Sequence, residues 1–131
     1  MSGREFAPRG PAEISLFLGA KSQELDQIQN QLQEAHEAFE DAELAWERHY
    51  DEIVEQLEEE VVAEKKKMPG EDVRISIARR RGGWDLWTAY RRADRTIRRL
   101  RTRASMVETA IGAAQSEAKL VVAVEPYQGR G

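Results

Sequence analysis

Residues 86–121 read LWTAYRRADRTIRRLRTRASMVETAIGAAQSEAKLV, and the spacing of their apolar side chains decides the fold. Leu86, Tyr90, Ala93, Ile97, Leu100, Ala104, Val107, Ile111, Ala114, Ala118 and Val121 follow one another at alternating intervals of four and three. That is an uninterrupted heptad repeat, and a stripe of this kind is buried only against another helix. The Ala-rich half, Ala104 to Ala118, permits close helix approach.

The partner stripe lies upstream. Leu25, Ile28, Leu32, Ala35, Phe39, Ala42, Trp46, Tyr50, Ile53, Leu57 and Val61 repeat the three–four pattern, with a four-residue stutter around Trp46–Tyr50. Leu18 extends it toward the N-terminus. Between Ala12 and Lys67 there is no proline, and Gly19 is the only glycine. Pro11 suits a first turn. Lys65, Lys66 and Lys67 complement the dipole at the far end, and Met68-Pro69-Gly70 stops the helix. The spacing predicts one helix over 13–67 and a second over 84–122, spanning roughly 80 and 58 Å at 1.5 Å per residue.

Between them lies a connector, 68–83. Val73, Ile75 and Ile77 alternate like a strand, whereas Glu71 and Asp72 could open a helical turn. A lone strand has no partner, so helix or irregular structure is expected. Gly82-Gly83 marks a break. The fold class is therefore all-α: an antiparallel helical hairpin or coiled coil over 13–122, with a disordered arm at 1–12 and a flexible tail at 123–131. One two-helix seam is thin. The hairpin is expected to assemble into a helical-bundle homo-oligomer, with Tyr90, Ile97, Leu100, Val107 and Ile111 as candidate interface residues.

The composition excludes several classes. The chain has 131 residues, 34% of them charged and none cysteine, so disulfide frameworks, thiolate metal sites and cysteine nucleophiles are ruled out. No apolar run approaches the roughly 18 residues of a membrane span, and Met1–Pro11 lacks the apolar core of a secretory signal. A cytoplasmic protein is expected, without membrane contact. Helix 84–122 is too weakly apolar, with its Ala-rich stripe, to anchor on a membrane surface.

Net charge is −4, but this average hides a division. Residues 1–70 carry 17 acidic and 7 basic side chains; residues 71–131 carry 7 acidic and 13 basic. From Arg74 to Arg103 there are eleven arginines against Asp85 and Asp94 alone. Arg79, Arg80, Arg81, Arg91, Arg92, Arg95, Arg98 and Arg99 are the candidate nucleic-acid contacts, with single- or double-stranded DNA as the expected partner, and are interleaved with Trp84, Trp87 and Tyr90. Guanidinium forks grip phosphate bidentately, and aromatic rings stack on exposed bases. The competing reading pairs these arginines across the hairpin with Glu43, Glu47, Asp51, Glu55 and Glu58, as flanking charges of coiled coils do. In that case the charges serve only assembly or docking on a protein partner. The Arg79–Arg81 triplet looks hardest to neutralise in this way.

Catalytic signals are absent. His36 and His49 are 13 residues apart, and neither has the glutamate three residues before it that di-iron bundles require. There is no phosphate-cradling glycine loop and no His-Glu-x-x-His. No enzyme activity, cofactor or metal is expected.

The stretch Tyr90–Leu120, with its Arg-rich helix, the Arg101–Arg103 step and the Ser/Ala-rich end from Ser105, resembles small helical-hairpin proteins of unknown function from tailed phages of actinobacteria. The Glu/Ala/aromatic mix around Ala35–Tyr50 fits the same pattern loosely. Some such proteins are encoded near recombination genes. The resemblance implies a phage or prophage origin, the host cytoplasm as location, and an accessory role in recombination or replication. It assigns no site residues.

Overall fold

The computed structural model describes the backbone of residues 10–128 and the side chains of residues 10–122. Three α-helices follow one another: α1 (Pro11–Glu64), α2 (Glu71–Ala78) and α3 (Trp84–Gln128), with a π-like turn at Arg79–Gly83 before α3. No strand occurs among the described residues. Both heptad stripes are apolar seams of this structure, since each of their members is buried or half-buried.

The chain divides into two compact units, and α1 and α3 contribute to both. In the unit formed by the first 31 residues and those from 100 onward, Ile14, Ile28, Val107 and Ala114 are buried. Pro11, Ile14 and Leu18 share a depression with Ala118 and Val121, while Lys21 and Glu24 share another with Arg103 and Val107. Rising numbers in α1 meet falling numbers in α3, so the two segments run antiparallel here.

The unit Leu32–Arg99 is more elaborate. Trp46, Ile53, Leu57 and Ala78 form its buried cluster, joined by Tyr50, Met68, Ile75, Ile77, Leu86, Trp87 and Tyr90. Phe39 stacks on Tyr90 at 5.4 Å and Trp46 meets Trp87 edge-on at 5.0 Å. The order is again antiparallel. The connector is not passive: α2 adds its isoleucines and Ala78 to this cluster. The alternation Val73–Ile75–Ile77 therefore belongs to a helix of two turns, with Val73 exposed and both isoleucines half-buried. Glu71 and Asp72 lie in its first turn, where acids favour the dipole.

Three boundaries differ from the heptad reading. Helix α1 ends at Glu64 rather than Lys67, because Lys65 takes a left-handed conformation (φ 53°) and the Lys66 amide donates to the Val61 carbonyl at 3.1 Å. This is a Schellman-type end in which a non-glycine residue fills the left-handed position. At the N-terminus, α1 includes Pro11 and Ala12, which the sequence places in a disordered arm; residues 1–9 of that arm lie outside the described residues. Finally, α3 continues to Gln128, so 123–128 of the expected tail are helical, and 129–131 lie outside the described residues. Seam periodicity marks where a helix is packed, whereas backbone hydrogen bonding can run past the last packed side chain.

Candidate nucleic-acid interface

The break before α3 sits at Arg81 (φ −89°, ψ 55°) and Gly82 (φ 84°), the latter in a region that only glycine adopts without strain. Gly83 is needed for a different reason. It is buried, and a Cβ there would stand 2.6 Å from the His49 ring and closer still to the Ala78 carbonyl oxygen. His49 Nε2 donates to that same carbonyl at 2.8 Å, satisfying an acceptor at the end of α2. His49, whose ring also lies beside Trp46, thus clamps the turn before α3.

The turn commits most of the arginine triplet. Arg81 makes a two-pronged contact with Glu60, at 2.9 and 3.2 Å. That hydrogen bond holds the Glu60 carboxyl below its usual range. Arg79 lies over the Trp87 ring at 5.2 Å, and Arg80 donates weakly to the Ser76 carbonyl at 3.4 Å. Arg74 donates to the Tyr50 hydroxyl at 3.1 Å and to the Pro69 carbonyl at 2.9 Å. The triplet expected to be hardest to neutralise is therefore the part of the basic segment most engaged within the chain.

Along α3 the situation reverses. At about 100° per residue, Trp84, Thr88, Arg91, Arg92, Arg95, Arg98 and Arg99 fall within one sector of about 120°. Leu86, Tyr90, Ala93, Ile97 and Leu100 fall on the opposite side. The arginines thus face away from the helix that covers the seam. The same arithmetic around Trp46 and Ile53 turns Glu47, Asp51, Glu55 and Glu58 outward from α1, and leaves Glu60 near the seam. Among the described residues, none of Glu43, Glu47, Asp51, Glu55 and Glu58 forms an ion pair with an arginine. The cross-hairpin pairing expected for them is replaced by the single bridge of Arg81 to Glu60. Arg98 bridges to Asp94 at 3.0 Å on its own helix. Arg92, Arg95 and Arg99 are exposed, with no ion pair among the described residues.

Trp84, Trp87, Thr88, Arg91, Arg92 and Arg95 line an open groove of about 280 Å³. Its aromatic residues differ in availability. Trp87 is held by Trp46 on one side and by the Arg79 and Arg91 guanidinium groups, the latter at 5.7 Å. Tyr90 is stacked on Phe39. Trp84, in contrast, is 62% exposed. Its neighbour Asp85 is the one acid in the first turn of α3.

The chain matches no protein-family model, no curated protein and no solved structure. What it can do must be argued from its own surface.

Of the candidate interface residues, Ile97, Leu100 and Val107 are buried within the chain itself, and Tyr90 and Ile111 are half-buried there. The large apolar side chains that do face solvent are others, including Leu16, Val62, Met106 and Leu120. No group of three or more metal-ligating side chains occurs among the described residues. No helix among them is long and apolar enough to cross a membrane. The tying residues His49, Tyr50 and Glu60 carry no motif; for Glu60 the only available signal was its angular position beside the seam.

Proposed function

We propose that this chain is a non-catalytic helical-hairpin accessory protein that binds nucleic acid through the outer face of α3, as a homo-oligomer, in recombination or replication of a phage-type system. The observation that carries the reading is the row Arg92, Arg95 and Arg99, exposed and without acid partners, beside an exposed Trp84. Arginine in place of lysine suits bidentate phosphate contact, and a tryptophan in water has no use in a purely solvating charged face. The thinness of a single two-helix seam supports assembly of more than one copy.

The test is fluorescence anisotropy with a labelled oligonucleotide across a salt series. Binding should weaken steeply between about 50 and 200 mM salt, with a slope set by the phosphates contacted. Replacing Arg92, Arg95 and Arg99 with Ser should abolish binding at moderate salt and leave the helical circular dichroism unchanged. Absence of binding at low salt would overturn the reading.

A second reading has its own support. The outward acids Glu47, Asp51, Glu55 and Glu58 of α1 complement the outward arginines of α3. In this reading the protein is a structural or adaptor element whose charged faces pair between copies, or dock on a host or phage protein. It predicts an oligomer that dissociates with salt and ignores oligonucleotides.

A further inference from the structure

Resting on the nucleic-acid reading, we infer that the groove headed by Trp84 takes a single strand rather than a duplex, with an unpaired base stacked on Trp84 and the following phosphates held by Arg92 and Arg95. Three observations converge on this occupant. Of the two aromatic side chains of the groove, Trp84 is the exposed one, whereas Trp87 is half-buried, carries the Arg79 and Arg91 guanidinium groups and abuts Trp46. A base offers its flat face to such a ring only when it is unpaired, because in a duplex that face is covered by the neighbouring pairs. The charged part then has the right polarity and reach: Arg92 and Arg95 line the same groove eight and eleven residues beyond Trp84, about 12 to 16 Å along the helix at 1.5 Å per residue.

Arg91 is pinned over Trp87, and Trp87 is pinned against the buried Trp46, so the floor is fixed by the core of this unit. Only the stacking ring and the two outer guanidinium groups remain to engage a strand. Every base has a π-face, so the contact tolerates any sequence, and the preference it produces is for strandedness. A duplex bound to the same arginines would use the phosphates alone.

The experiment compares a fluorescent oligothymidylate with a duplex of equal length, using the full chain and four variants. The wild type should favour the single strand, and Trp84→Ala should weaken that binding about five- to a hundredfold while changing duplex binding little. Trp84→Phe, which keeps a ring, should recover most of the loss. Arg92→Ser and Arg95→Ser should weaken both ligands and each lower the salt slope by about one phosphate's share. Equal affinity for both ligands, unmoved by Trp84→Ala, would overturn this inference and leave the nucleic-acid reading standing. No binding of either ligand at low salt would overturn both, and salt-sensitive self-association in its place would assign the arginines to a second copy.

Discussion

Among the described glycines, Gly83 is the one where an added methyl group would meet the tightest contacts. Its absent Cβ is what lets the His49 ring and the Ala78 carbonyl close over the turn. Gly83→Ala should therefore lower stability by about 1 to 3 kcal/mol in urea unfolding, as overpacking does. Combining it with His49→Ala should cost less than the sum of the two, because the clash is shared. Gly82 is different: its positive φ is the constraint and space is not, so Gly82→Ala should cost about 1 to 2 kcal/mol whatever stands at 49. Lys65 presents the converse case, a side-chain-bearing residue in the left-handed position that ends α1. Lys65→Gly should raise stability by about 1 kcal/mol, read as a higher thermal midpoint. Glu60 supplies the pH dependence. Its folded carboxyl lies below the usual range because Arg81 donates to it, so its contribution is present above the ordinary carboxylate pKa and is lost as pH falls through the lowered folded value. Carboxyl NMR of Arg81→Ser should show Glu60 returning to the ordinary range. The pair is exposed and should weaken in salt. The sequence marked Lys65, Arg81 and the two glycines, but not the contacts they make, since a clamp made by an imidazole and a carbonyl 29 positions apart has no local signature.

At the scale of the element, each long helix has an inner face that packs and an outer face that stands in water. Trp46, on the α1 seam, is 7% exposed and touches Trp87, Tyr50 and His49. Trp46→Ala should cost about 3 to 5 kcal/mol, and Ile28→Ala in the other unit about 2 to 5, by loss of transfer energy and the cavity left behind. Measured by denaturant midpoint, a much smaller loss at Ile28 would mean that its 1% exposure overstates the packing there. The opposite-charge rows that sequence spacing suggested would pair across the hairpin stand outward on both helices. Their angular positions were already contained in the residue numbers: at about 100° per residue, Arg92, Arg95 and Arg99 cannot face a helix that covers Ile97 and Leu100. Charge balance alone does not carry that information; only the combination of charge with the seam does. The connector is the element least legible beforehand. The alternation of Val73, Ile75 and Ile77 within the eight residues of α2 fits a strand as well as a helix, and the choice was made by the apolar cluster into which Ile75, Ile77 and Ala78 pack.

At the scale of the whole molecule, a net charge of −4 describes no part of the surface; an acidic outer face on α1 and a basic one on α3 average to it. In the proposed assembly a second copy would cover exposed apolar side chains such as Leu16, Val62, Met106 and Leu120. Sedimentation equilibrium is therefore expected to give a multiple of 15.0 kDa, and the thermal midpoint should rise with protein concentration; a single monomeric mass at all concentrations would contradict the proposed assembly. Heptad spacing, the proline-free run and the double glycine were sufficient for two long helices, their seams and the break between them, because periodicity and backbone permissiveness are properties of the chain taken a few residues at a time. Which arginines are tied down, which tryptophan is left in water and which acid receives Arg81 were settled only by packing. Those outcomes depend on contacts between residues far apart in number, and no local pattern encodes a distance that only the folded chain creates.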